Sequence, residues 1–166
     1  MEEIAAGRVF ERIAEGFVAT QGYAARTLDE AMPLATTCDV VLTKLDGMNV
    51  SVLCLVDAES VEARRFDFDK AAAKEILAAC GSRYGGTLVG SRLPASLVIV
   101  EVRRSSSEED LTRLRRYSNR FFDTDAIHAF VVDTSMRRVI TATRYSAIAG
   151  WGWRRFLRRT LAVAAT

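Results

Sequence analysis

The segment 39–57 constrains the fold of this 166-residue chain more than any other part of the sequence. Two runs of β-prone residues lie on either side of Asp46-Gly47, a pair that accepts the positive φ angles of a tight hairpin turn. The second run is apolar without interruption from Val52 to Val56. An uninterrupted apolar run is typical of a strand that is covered on both faces. The sequence therefore predicts a hairpin whose second strand lies inside a sheet.

Further helices and strands are predicted on both sides of this hairpin. Three segments have the amphipathic or capped patterns of helices: 2–21, 70–80 and 108–121. Gly81 is expected to end the second of them, and Ser107 with Asp110 to form a capping box for the third. Three segments have strand patterns: 95–103, 126–133 and 138–144. We therefore predict one α+β domain over residues 1–148, with a mixed sheet of about five strands, including two hairpins, flanked by three helices.

Composition excludes some classes of function. The chain is 49% hydrophobic and 27% charged, which is typical of a globular protein. Residues 151–166 contain four arginines and no acid, so the other 150 residues carry 19 basic and 21 acidic side chains. Because nucleic-acid-binding domains carry their positive charge on the folded part, nucleic acid is not an expected partner. The cysteines at 38, 54 and 80 lie in apolar runs without zinc-site spacing and are expected to be reduced core residues.

The segment 149–166 is predicted to be a basic, aromatic and amphipathic tail. In a helix from Trp153 onwards, an apolar stripe would run on one face with arginines beside and opposite it. Aromatic residues next to arginines are typical of a segment that meets a membrane from the cytoplasm. The residues expected near the membrane are Trp151, Trp153, Arg154, Arg155, Phe156, Arg158 and Arg159. The alternative is that the stripe, with Leu157 and Leu161, docks on the domain and completes its core.

One set of charged residues could carry chemistry. Asp57 ends one apolar strand, and Glu101-Val102-Arg103 lies in another. This pattern resembles the restriction-endonuclease-like (PD-(D/E)xK) nucleases, in which acids on neighbouring strands hold Mg²⁺ beside a lysine. The resemblance implies Asp57 and Glu101 as metal ligands, with Arg103 as the third catalytic residue in place of the lysine. The alternative is that all three are charges at the solvated ends of buried strands.

His128 is the only histidine, which excludes catalytic or metal chemistry built on several histidines. It alternates with Phe130 and Val132 on a predicted strand, so a packed or edge-exposed histidine is expected. The sequence identifies no small-molecule ligand and no resident cofactor, apart from the Mg²⁺ of the nuclease alternative.

Five stretches carry a second resemblance: Asp39–Asp57, Arg65-Phe66, Cys80 to Tyr84-Gly85-Gly86, Leu93-Pro94 and His128–Asp133. Over about residues 38–145 the chain resembles the soluble domain that precedes the membrane helices of some bacterial rhomboid-like and uncharacterised multi-pass membrane proteins. The resemblance implies a non-enzymatic accessory or regulatory domain on the cytoplasmic side of the inner membrane, acting through protein contacts. It carries over no catalytic residue. The partners it implies are the membrane surface, transmembrane segments downstream in the same protein, and an unidentified protein.

Overall fold

The computed structural model describes residues 6–27, 34, 38–59, 70–85, 93–115, 126–141 and 150–164. Its helices are α1 (Ala6–Gln21), α2 (Lys70–Gly85), α3 (Glu108–Arg115) and α4 (Trp151–Ala164). Its strands are β1 (Ala24–Ala25), β2 (Val40–Asp46), β3 (Asn49–Asp57), β4 (Ala95–Arg103), β5 (Ala126–Asp133) and β6 (Arg138–Thr141). The fold is α+β, as predicted. The described residues add the short strand β1 and the helix α4 to the predicted five strands and three helices.

All six strands form one mixed sheet in the order β1-β2-β3-β4-β5-β6. The predicted first hairpin is confirmed: β2 and β3 pair antiparallel, Asp46 opposes Asn49, and Gly47 in the turn has a φ of 61°. The strands β3, β4 and β5 pair in parallel, with Leu55 beside Val100 and Val100 beside Phe130. The strand β6 pairs antiparallel with β5 and completes the second hairpin.

Each face of the sheet is covered by two helices. Parallel strands need crossover connections, and the crossovers α2 and α3 contribute Leu77, Cys80 and Leu111 to the core on one face. On the other face, α1 packs on β2, β3 and β4, whereas α4 packs on β5 and β6. Because side chains alternate along a strand, odd and even positions of the central strands supply the two separate cores.

The helices α1 and α4 are antiparallel neighbours. Phe17 and Phe156 lie with their ring centroids 4.3 Å apart, and one turn earlier in α1 the Arg12 Nη1 donates to the Val163 carbonyl over 2.9 Å. A Cβ atom at Gly16 would lie 2.8 Å from Phe156 Cζ. Glycine at this position therefore allows the close approach of the two helices.

Two local features differ from the sequence prediction, and a third agrees with it. The helix α2 continues through Gly81 to Gly85, because a glycine inside a helix costs only about 1 kcal/mol and does not forbid it. The strand β1 was not among the predicted strands, and its two residues pair with β2. The capping box of α3 is confirmed: Ser107 Oγ donates to Asp110 Oδ2 over 2.6 Å and accepts from Asp110 N at 3.2 Å. The predicted continuations over 116–121 and 142–144 lie outside the described residues.

The packing of α4 leads to a first prediction. Leu157 is fully buried between α4 and the sheet, so Leu157→Ala should lower the free energy of unfolding by about 2–5 kcal/mol. Val163, on the same helix, is 62% exposed, and Val163→Ala should change stability by less than about 0.5 kcal/mol. Urea denaturation followed by circular dichroism measures both. Equal small losses in the two variants would show that α4 does not contribute to the core in solution.

Candidate functional site

The two acids of the nuclease hypothesis lie on opposite faces of the sheet. Glu101 pairs in register with Val56, so the neighbouring Asp57 projects to the other side. A Cβ atom at Gly7, in α1, would lie 3.9 Å from Asp57 Oδ2, which puts Asp57 on the α1 side. The carboxylates of Asp57 and Glu101 therefore cannot share a Mg²⁺ ion in this arrangement, and the nuclease alternative loses its pair of metal ligands. The two-residue spacing within β4 does place Glu101 and Arg103 on one face, as the pattern suggested.

Glu101 is the centre of a buried ion-pair cluster under α3. Its side chain is fully buried, and both of its oxygens accept hydrogen bonds from Arg113 Nη2 at 2.7 Å. Arg103 Nε donates to Glu101 Oε2 over 3.2 Å, and Arg103 Nη2 lies 3.0 Å from Asp110 Oδ1. Two guanidinium groups thus neutralise the carboxylate. Among the described residues, no three histidine, cysteine, aspartate or glutamate side chains are grouped to hold a metal ion.

Asp133 lies at the edge of the sheet where the parallel strands have their carboxyl ends. Open sheets often bind ligands at this edge. Its Oδ2 accepts from the backbone N–H and the hydroxyl of Ser106, and its Oδ1 accepts from Ser135 Oγ and Met136 N, all within 3.0 Å. Burial alone would raise the pKa of Asp133, but these hydrogen bonds outweigh it and hold the pKa below the ordinary value. The carboxylate therefore fastens the loop after β4 to the turn after β5.

A chain of buried polar side chains lies beneath the start of α4. Tyr23 Oη and Ser51 Oγ share a hydrogen bond of 2.7 Å, and Trp153 Nε1 donates to Tyr23 Oη over 3.2 Å. The other side of Trp153 faces His128, with the ring centroids 4.8 Å apart. Burial lowers the pKa of His128 to about 4 and raises the pKa of Tyr23. His128 is thus a packed histidine that stays neutral at physiological pH.

The outward face of α4 carries most of the residues predicted to lie near a membrane. Trp151 is 59% exposed, and the guanidinium of Arg155 lies 5.1 Å from its ring centroid, in cation–π contact. The exposed side chains of Arg158 and Arg159 continue this face along the helix, and Arg154 is half-buried beside it. We call Trp151, Arg154, Arg155, Arg158 and Arg159 the arginine face; together with Ala162 they line a depression of about 510 Å³.

The remaining residues of that prediction face inwards. Trp153 and Phe156 are partly buried and pack on the core that Leu157 and Leu161 enter. The segment therefore docks on the domain by its apolar stripe, which is the alternative that the sequence left open. Docking uses one side of α4 only, so a membrane contact of the arginine face stays a prediction.

Several partners in these clusters were not found from the sequence. Arg113 is one: it follows three acids in the same helix, and nothing in its spacing points to Glu101, which is twelve residues away. The Tyr23–Ser51–Trp153 contacts join residues up to 130 positions apart. Asp133 had a usable signal, because an aspartate that ends a strand and is followed by Thr134-Ser135 is typical of an Asx turn.

Comparisons with known proteins returned no match for this chain, whether with protein-family models, curated proteins or solved structures. Within the described parts of the chain, none of the helices combines the length and apolar composition needed for a transmembrane span.

The Glu101 cluster leads to a second prediction. Arg113→Met should lower the free energy of unfolding by about 2 kcal/mol, because it leaves a buried carboxylate with Arg103 as its remaining strong partner. The matched control is Arg115→Met on the same helix, which breaks an exposed pair with Glu108 and should cost less than about 1 kcal/mol. Denaturant titration of both variants gives the comparison. A similar cost in both would mean that Glu101 is not held by Arg113.

His128 leads to a third prediction, on pH. The unfolded chain takes up the imidazole proton near pH 6.5, whereas the folded chain does so only near pH 4, so protons stabilise the unfolded state between these values. The free energy of unfolding should therefore fall by up to about 3 kcal/mol as the pH is lowered from 6.5 to 4. The carboxyl groups of Asp133 and Asp110 have lowered pKa values in the folded chain. Their contribution to the stability of the fold is therefore lost only below this pH window.

Stability measured against pH for the wild type and for His128→Phe tests this directly. The substitution should flatten the curve between pH 6.5 and 4.5 while leaving the acid limb below pH 4 in place. Parallel curves for the two proteins would assign the pH dependence to other groups.

Proposed function

We propose that this chain is a non-enzymatic accessory or regulatory domain of an inner-membrane protein, with the arginine face of α4 lying against anionic lipid headgroups on the cytoplasmic side. The proposal is carried by one observation: α4 buries Leu157 and Leu161 in the domain while its opposite side exposes Trp151, Arg155, Arg158 and Arg159, with no acid anywhere in the helix. Docking accounts for the apolar side of the helix. It gives no reason for the arginines on the other side.

Electrostatics favours a lipid surface as the partner of this face. Each arginine near an anionic bilayer contributes about 1 kcal/mol of attraction, and an exposed tryptophan is stabilised at the headgroup level. Arg155, Arg158 and Arg159 form no hydrogen bond or ion pair with any described residue, so their guanidinium groups remain available for phosphates. The arginine face therefore offers both charge and an interfacial anchor.

The cytoplasmic side is favoured by two features. Anionic lipid is concentrated in the cytoplasmic leaflet, which attracts basic segments. Cys38, Cys54 and Cys80 are buried and form no disulfide with one another, which suits a reducing compartment. In this orientation α2 and α3 lie on the side of the sheet away from the membrane, where they remain available for the protein contacts of an accessory domain.

A fourth prediction tests the membrane contact by co-sedimentation with lipid vesicles. Binding to vesicles containing phosphatidylglycerol should exceed binding to phosphatidylcholine vesicles and weaken as salt is raised. Arg155→Gln together with Arg158→Gln should weaken the binding to anionic vesicles about 30-fold, since two arginines contribute about 2 kcal/mol.

The matched control removes two exposed arginines that follow the carboxyl ends of β4 and β5, Arg104→Gln together with Arg137→Gln, and should retain most of the affinity. Both double variants should unfold at temperatures close to that of the wild type. Equal binding to anionic and neutral vesicles, equal loss in the two double variants, or tighter binding to duplex DNA than to anionic vesicles would each refute the proposed membrane contact.

A further inference from the structure

We propose that the groove between α1 and α4 binds the acyl chain of a single phospholipid with a phosphodiester headgroup, whose phosphate lies between Arg12 and Arg159. The inference rests on the proposed membrane contact and names a lipid site beside the arginine face. The site would bind one lipid molecule specifically, because the groove contacts that molecule directly, whereas the arginine face responds to the average charge of a bilayer.

The groove has the size of a small-ligand site. It is an open groove with a volume of about 580 Å³, and it runs along one face of α1 from Arg12 to Gln21, which corresponds to about 13 Å of helix. Its other wall is the side of α4 from Phe156 to Val163. The ring of Phe156 lies against Gly16, and this contact forms the floor of the groove.

The walls of the groove favour an apolar occupant. Gly16, Ala19, Phe156 and Val163 provide carbon surface, and Val163 is 62% exposed. Two threonines also line it, but Thr20 Oγ1 donates to the Gly16 carbonyl and Thr160 Oγ1 to the Phe156 carbonyl. Their hydroxyl protons are therefore used within their own helices and are not available to donate to a hydrophilic ligand.

The rim of the groove favours an anionic headgroup. Arg12, Glu15 and Arg159 are the charged residues lining it, and together they carry one net positive charge, which complements the single negative charge of a phosphodiester. Arg12 Nη1 is held at the Val163 carbonyl, so its guanidinium is fixed at one end of the groove. Arg159 makes no hydrogen bond or ion pair with the described residues and also belongs to the arginine face. A lipid in the groove would thus continue the surface that meets the bilayer.

Calorimetric titration with a soluble one-chain phospholipid tests the inference, because below its critical micelle concentration no bilayer is present. The probe is a twelve-carbon lysophospholipid with a phosphoglycerol headgroup, titrated into the full chain. We expect one binding site. Ala19→Phe fills the groove from the α1 side and should weaken binding by about tenfold or more, whereas Val18→Phe places the same ring outside the groove and should leave binding within about twofold.

Headgroup recognition is tested separately. Arg159→Gln should weaken binding of the phosphoglycerol probe about tenfold. Glycerol phosphate without an acyl chain should not compete with the probe, because the apolar walls supply most of the contact.

Four outcomes would overturn the inference: no binding below the micelle concentration, equal affinities in Ala19→Phe and Val18→Phe, full competition by glycerol phosphate, or a concentration-dependent dimer that Ala19→Phe dissociates. The last outcome would show that the groove is occupied by a second copy of the chain.

Vesicle binding separates this site from the proposed function. If Ala19→Phe no longer binds the soluble lipid but still binds anionic vesicles, both the lipid site and the membrane contact are supported. If the wild type binds vesicles but not the soluble lipid, the inference alone fails.

Discussion

The structure depends on a sheet that is apolar on both faces. The three parallel strands β3, β4 and β5 bury almost every side chain, and a strand of this kind is stable only between two layers of helices. The crossovers between parallel strands supply one layer, α2 and α3. The second layer consists of α1 and α4, which come from opposite ends of the described chain. The apolar stripe of α4 is thus a requirement of the sheet, because α4 is the helix that packs on β5 and β6 on that face.

The sequence was sufficient to predict the local helices, strands and turns. It was not sufficient to predict to which face of the sheet a given side chain points. Asp46-Gly47 predicted the β2–β3 hairpin, and the Ser107–Asp110 box predicted the start of α3, because both signals lie within a few residues of the structure they specify. The relation between Asp57 and Glu101 depends on the register of two parallel strands. A shift of one position reverses the side to which a residue points, and no local pattern encodes that shift.

For the surface of α4, too, part could be predicted from the sequence and part could not. The sequence identified the arginines and aromatic residues of α4 by their composition, but helical spacing alone could not decide which stripe faces a bilayer and which faces a core. The structure assigns Leu157 and Leu161 to the core and leaves the arginines outside. The groove between α1 and α4 could not be predicted at all, since its walls come from positions more than 130 residues apart and its floor depends on one glycine.

The antiparallel contact of α1 with α4 also brings the two ends of the described chain to one corner of the molecule. Arg12, less than two turns from the start of α1, already touches Val163 near the end of α4. Ends that meet in this way can be joined by a short linker while the chain is opened elsewhere, which is the geometry that tolerates circular permutation. The turn at Gly47-Met48, exposed at the tip of the first hairpin, is a natural place for the new cut. The order of the elements along the chain is therefore one of several that the same packing of α1 on α4 would accept.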